Sequence, residues 1–230
     1  MTGLVTYGLR AFGLKAAIVL GMLTGVPAQA QQTDILALGD SLTQGYGLIE
    51  QEGFVPQLRA WLAERGHDVR VVNAGVSGDT TAGGLSRVEW SLTPEIDAMI
   101  VALGGNDLLR GIDPAVARDN LDGILEVAAE RDLDVLLIGL KAPGNYGAAY
   151  KRDFDAMYSE LADQYDTVYL EDFFAGLRGP GGGMPDAGLY MQPDGIHPNA
   201  TGVSRIVETV GPKVEELIER AETQTGVDGG

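Results

Sequence analysis

The apolar run Ile35 to Leu38 stops at Gly39-Asp40-Ser41, so a buried strand would deliver a serine hydroxyl to a loop at the sheet edge. Ligands in open α/β sheets bind beyond the carboxyl ends of the strands, which is where such a loop lies. A serine hydroxyl is a weak nucleophile until a base takes its proton. Two histidines could supply that base, His67 and His197. His67 sits in a charged helix-to-strand turn, Arg65-Gly66-His67-Asp68, and reads as a solvated surface residue. His197 follows Asp194-Gly195-Ile196, and Pro198 biases it toward extended backbone. A loop this short can hold the Asp194 carboxylate on one ring nitrogen, fixing the tautomer and leaving the other nitrogen for Ser41. By spacing alone, Asp194 could equally do no more than cap the turn.

Acyl transfer from such a serine also needs donors aimed at the oxyanion that develops. Strand-end glycines suit this, because no Cβ obstructs an approaching substrate. The candidates are the N–H of Ser41, the N–H of Gly78 in Val76-Ser77-Gly78-Asp79, and the side-chain amide of Asn106 in Gly104-Gly105-Asn106-Asp107. Taken singly, Gly78 and Asn106 also fit ordinary turns. Asp40, Asp107, Asp194 and His197 give no recognised ligand spacing, so no metal is expected. There is no Gly-x-Ser-x-Gly elbow, no phosphate loop ending in Gly-Lys-Ser/Thr, and no Gly-x-Gly-x-x-Gly after the first strand.

The elements that must carry these residues follow from periodicity. Residues 34–38, Val69 to Val72, Asp97 to Leu103, Val135 to Leu140 and Thr167 to Leu170 read as five short strands. Between them, helical spacing predicts helices over about 52–65, near Leu85 to Trp90, after the Asp113-Pro114 start, and from Tyr150 to Leu161. Gly75 to Gly84 reads as a loop, and Gly176 to Gly188, with six glycines and two prolines, as a longer one. Val203, Ile206, Val207 and Val210 mark a last helix that Gly211-Pro212 should kink, with a flexible tail over residues 223–230. Strands alternating with helices give an α/β fold, a parallel sheet with helices on both faces, in one domain over residues 31–222.

Composition narrows the partners. Of 230 residues 45% are apolar, enough for one sizeable core. The net charge is −17, and residues 1–30 hold only Arg10 and Lys15, so the rest carries 14 basic and 33 acidic side chains, a net −19. Nucleic acid and anionic lipid are therefore not expected as partners. Cysteine is absent, which removes thiol nucleophiles, disulfides and thiolate metal sites. Arg10 and Lys15, the apolar stretch Ala16 to Val26, and Ala28-Gln29-Ala30 have the form of a secretory signal peptide over residues 1–30, cleaved after Ala30. The apolar stretch is short against the ~20 residues of a membrane span, so stable membrane insertion is not expected. Asn199-Ala200-Thr201 fits a glycosylation acceptor and is read as coincidence beside a bacterial-looking export signal.

Gly39-Asp40-Ser41-Leu42-Thr43, Gly78, Gly104-Gly105-Asn106-Asp107 and Asp194-Gly195-Ile196-His197-Pro198 together resemble, in order, the four blocks of the SGNH (GDSL) hydrolases. Pro143 to Gly147 and Met191-Gln192-Pro193 add a likeness to the bacterial exported arylesterase, thioesterase and lysophospholipase branch. The resemblance implies a flavodoxin-like three-layer α/β/α fold with a five-stranded parallel sheet. It also implies Ser41 as nucleophile, His197 as base, Asp194 as its orienter, and Ser41, Gly78 and Asn106 as the oxyanion hole. The expected reaction is two-step acyl transfer with no cofactor, on a small-molecule or single-chain lipid ester, by a monomer. Asp40 and Asp107 are expected to hold loops by hydrogen bonding. Tyr146, Tyr150 and Met191 are candidate pocket-lining residues, each of which could equally belong to the core. Export argues against a cytoplasmic acyl-CoA substrate. A carbohydrate acetylesterase on the same scaffold, or a periplasmic binding protein with a vestigial site, stands as the alternative. Gly179 to Gly183 matches nothing in the family pattern.

Overall fold

A computed structural model describes residues 1–3, 32–184 and 186–227. The chain divides into Met1–Ala30 and a body, Gln31–Gly230, and the account below concerns the body. The expected signal peptide lies, beyond its first three residues, outside the described part. Among the described residues no helix is long and apolar enough to cross a membrane.

The body is built on five parallel strands, β1 (Thr33–Gly39), β2 (Val69–Gly75), β3 (Ala98–Ala102), β4 (Asp134–Ile138) and β5 (Val168–Leu170), in the order β2-β1-β3-β4-β5. All residues of β1 and β3 are buried, as strands covered on both faces must be, and both are accordingly near-continuous apolar runs. Their register sets Gly39 opposite Ala102 and, on the other side, opposite Gly75. The loops that follow β1, β2 and β3 therefore emerge together. The strand order reverses direction between β1 and β3, which is the switch point where open sheets of this order bind ligands.

Among the described residues eight α-helices follow in chain order: α1 (Ser41–Gln44), α2 (Phe54–Glu64), α3 (Thr81–Ser91), α4 (Gly105–Arg110), α5 (Pro114–Ala129), α6 (Ala148–Tyr165), α7 (Ala187–Tyr190) and α8 (Ala200–Val227). α3, α5 and α6 pack in a row, and α2 packs on α8, completing the α/β/α layers. Asp113 caps α5 through Ala115 N–H with Pro114 in the first turn, as the sequence predicts. α3 begins at Thr81 rather than near Leu85. Thr80 caps it through Gly83 N–H, and Gly84 is needed because a Cβ there would fall 2.3 Å from Leu103 Cδ1. Close packing onto the chain after β3 thus demands a glycine that disguises the helix in the sequence.

The last helix runs through Pro212, and it departs from expectation by continuing to Val227, past the expected start of the tail at Thr223. Val203, Ile206, Val207, Val210, Val214, Leu217 and Ile218 form one buried stripe along it, and that burial holds the helix on the body across the proline. Gly211 lies under the Trp61 indole, where a Cβ would come within 2.7 Å of three ring carbons. His67 is likewise less free than its turn suggests. Its Nε2 lies 3.0 Å from Glu215 Oε1, a partner supplied by α8.

Candidate active site

Ser41 opens α1, directly after β1. Asp40 caps that short helix, its Oδ1 accepting from Leu42 N–H at 3.0 Å. The first N–H groups of a helix have no partner inside it, which leaves the Ser41 N–H free to serve a ligand. His197 Nε2 lies 2.8 Å from Ser41 Oγ although the two residues are 156 apart in the sequence. His197 Nδ1 lies 2.7 Å from Asp194 Oδ2. The other Asp194 oxygen accepts from Ile196 N–H at 2.9 Å and His197 N–H at 3.0 Å. These bonds, the imidazole first and the two backbone N–H groups next, hold the Asp194 carboxyl down at about 2. It stays ionised and keeps its proton-bearing partner at Nδ1, so that Nε2 faces the serine as an acceptor.

The two ends of the chain that meet here are pinned. Gln192 Nε2 donates to Tyr46 O at 2.8 Å and to Pro198 O at 3.0 Å, tying the loop after the nucleophile to the loop that bears the base. Tyr46 lies against His197, ring centroids 4.7 Å apart. Arg87, largely buried, spans the strand ends. Its Nη2 donates to Gly39 O at 2.9 Å, Nη1 to Ala74 O at 2.8 Å, and Nε to Asp79 Oδ2 at 2.7 Å.

Of the three candidate oxyanion donors, Ser41 and Asn106 border one cavity. Gly78 has φ +86°, a left-handed conformation that a side chain would strain, and Arg110 Nη2 donates to its carbonyl at 2.8 Å. Asn106 Nδ2 donates to Asp40 Oδ2 at 3.3 Å, which uses one amide hydrogen and aims the other. Asp107 is fully buried and accepts from Thr81 N–H at 2.8 Å and Thr81 Oγ at 2.6 Å, tying α4 to the start of α3. Both aspartates thus act as braces, as the sequence predicts. Asp40, Asp107 and Asp194 spend their oxygens on protein donors.

Burial pushes the Asp40 carboxyl up to about 6, against the pull of the Leu42 N–H, the Asn106 amide and His197. A carboxyl raised above its unfolded value costs stability as pH climbs from about 4 through about 6, and the full cost, on the order of 2–3 kcal/mol, is present above that window. Asp40→Asn should remove this slope, so that urea unfolding of the variant loses less stability than the parent between pH 4 and 7. Its amide is also a weaker acceptor for Asn106, and kcat should fall about tenfold, the worth of one charge-assisted hydrogen bond. An unchanged pH slope with unchanged kcat would deny Asp40 both effects.

Beside Ser41 and Asn106 lies a cavity of about 130 Å³ walled by Leu42, Leu108, Leu109, Leu140, Phe174 and Ile196. Of the candidate lining residues, Tyr146 and Tyr150 do not border it. Tyr150 Oη donates to Ile112 O at 2.9 Å and Tyr146 Oη lies 3.4 Å from Leu109 O, so the two rings brace the segment behind the Leu108-Leu109 wall. Met191 borders the neighbouring groove instead. Arg87, Arg110 and Tyr46 carried no local signal as contributors to the site, and Gln192 stood out only as part of Met191-Gln192-Pro193. Their partners are brought to them only by the assembled sheet.

A serine at the end of β1 that meets a histidine, itself held by an aspartate, after the last strand of a 2-1-3-4-5 parallel sheet is the arrangement of a serine hydrolase of flavodoxin-like architecture. The sequence matches the GDSL-like lipase/acylhydrolase family over residues 37–205. The esterase TesA of Pseudomonas aeruginosa is 39% identical over 91% of this chain and all of its own length. An arylesterase of Vibrio mimicus is 33% identical over 88% of this chain and 96% of its own. The crystal structure of AlinE4, an SGNH-hydrolase family esterase, superimposes with a TM-score of 0.67 at 43% identity, covering 82% of this chain and 98% of that one. The chain belongs to the GDSL-like lipase/acylhydrolase family and is a serine ester hydrolase of that family.

Proposed function

We propose that Ser41, His197 and Asp194 hydrolyse carboxylic esters, aryl and short- to medium-chain acyl esters foremost, by two-step acyl transfer. Ser41 Oγ attacks the acyl carbonyl as its proton passes to His197 Nε2, and the same nitrogen returns that proton to the leaving alcohol. Water then repeats the sequence on the acyl-enzyme, releasing the acid and restoring Ser41. The N–H groups of Ser41 and Gly78 and the Asn106 amide hold the oxyanion of both tetrahedral intermediates. The observation that carries this reading is the unbroken line from Asp194 Oδ2 through the imidazole to Ser41 Oγ, at 2.7 and 2.8 Å, beside an apolar cavity.

Export completes the reading. The basic residues, apolar stretch and Ala28-Gln29-Ala30 precede a body that begins at Gln31, which supports removal of residues 1–30 and action outside the cytoplasm.

The test is release of p-nitrophenol from its butyrate by the mature protein, followed across pH. Proton acceptance needs an uncharged imidazole, so the rate should fall on the acid side. Asp194, held at about 2, stays ionised through that range and contributes nothing to the fall. A rate flat down to about pH 4 removes His197 from the reaction, and no release at any pH removes the reading.

A further inference from the structure

The segment Gly179 to Gly183, which matches nothing in the family pattern, has a place in the fold. Gly179 and Gly182, with Arg178 and Met184 on either side, wall a groove of about 1100 Å³. Lys141, Phe174 and Ile196 line both this groove and the 130 Å³ cavity beside Ser41, so the two share a partition. The site therefore offers an ester two compartments of very unequal size.

His197 decides which half of an ester enters which compartment. The leaving oxygen must reach Nε2 to collect its proton, so the leaving group departs on the side of the loop that bears the imidazole. That loop borders the groove through Gly195 and Met191, while its Ile196 sits on the partition between the two compartments. The small cavity is bordered instead by Ser41, Leu42, Asn106 and Leu108, where the acyl carbonyl and its chain would lie. An apolar cavity of ~150 Å³ holds a guest the size of benzene, so one of 130 Å³ houses the first few carbons of an acyl chain and leaves the rest of a long chain outside it. The groove matches the upper end of the ~300–1,000 Å³ usual for whole small-molecule sites.

The lining also selects by charge. Its three cations already have carboxylate partners. Lys141 Nζ lies 2.5 Å from Glu171 Oε1, Lys151 Nζ lies 2.7 Å from Asp155 Oδ2, and Arg178 pairs with Asp172 and donates to Gly182 O at 3.0 Å. An anionic headgroup would have to displace these partners in a chain of net charge −17. Ala142, Phe174, Ala175, Met184, Met191 and Ile196 supply most of the remaining wall.

We propose that the glycine-walled groove is the leaving-group subsite, and that the preferred substrates join a short acyl chain to a bulky, uncharged, largely apolar alcohol. This rests on the esterase reading above. Two ester series on the mature protein test it. With p-nitrophenol fixed, kcat/KM should fall at least tenfold from butyrate to dodecanoate. With butyrate fixed, 2-(2-naphthyl)ethyl butyrate should exceed ethyl butyrate at least tenfold, both being esters of primary alcohols. Ala175→Trp, which fills the groove, should cut that second ratio at least tenfold. Phe174→Ala, which opens the partition, should raise the dodecanoate-to-butyrate ratio by a similar factor. Equal rates within both series, ratios unmoved by both variants, or preference for a butyrate of glycerol phosphate would overturn the subsite while leaving the esterase standing. Failure to hydrolyse any ester would instead sink the reading beneath it.

Discussion

Ser41→Ala abolishes turnover of p-nitrophenyl butyrate and leaves the fold intact. The substitution removes the only atom of the line Asp194–His197–Ser41 that can bond to an acyl carbon, so no acyl-enzyme forms. Loss of a triad member in well-studied serine hydrolases leaves ~10³–10⁴-fold over water, contributed by the oxyanion donors and binding, which is far below the parent rate. The fold has little to lose. Asp40 caps α1 through Leu42 N–H, and that bond does not involve the Ser41 side chain. The variant loses one hydrogen bond of a buried side chain, that to His197, and should unfold within about 1.5 kcal/mol of the parent. Ordinary turnover by a folded Ser41→Ala protein would take the serine out of the mechanism. Loss of turnover together with loss of near-ultraviolet circular dichroism would assign the effect to folding.

Asn106→Ala lowers kcat by about 10²–10³ and changes KM little, the pattern of a donor that acts on the transition state more than on bound ester. Two features make this the strongest case among the three donors. The amide belongs to a side chain, so it can be deleted without moving backbone, and Asp40 Oδ2 holds it from behind at 3.3 Å. α4 itself is fixed independently by the buried Asp107 on Thr81, which should keep the segment in place when Asn106 is shortened. Steady-state kinetics on a butyrate ester separate the outcomes. A loss confined to KM would move Asn106 from the reaction to substrate binding.

The serine, histidine and aspartate of the proposed triad stood out in the sequence, and most of the residues that hold them did not. Ser41 and Asn106 each follow an apolar strand that ends in glycine, and such interruptions mark strand ends whatever the packing, whereas His197 stands in a turn after Asp194-Gly195. The order of strands gave the fold because each parallel crossover needs an intervening helix. Arg87 is different. Its three acceptors come from β1, the end of β2 and the loop after it, and nothing in Ser86-Arg87-Val88 distinguishes it from an exposed helical arginine. Thr81 and Asp107 meet across 26 residues for the same reason. Tyr146 and Tyr150 misled because an aromatic residue near a family block looks like a pocket wall, whereas both hydroxyls are used on the carbonyls of Leu109 and Ile112. The continuation of α8 past Pro212 was legible from its apolar spacing, and a buried stripe extending on both sides outweighs the local cost of the proline.

The distance along the chain between Ser41 and His197 has a temporal meaning. The hydroxyl is synthesised 156 residues before the imidazole, and the two meet only when the loop that bears His197 lies back over the end of β1. Contacts of such wide separation carry a high closure cost, since the intervening chain must be ordered to bring them together. The serine–imidazole pair is consequently a property of the finished tertiary structure and is absent from an unfolded chain.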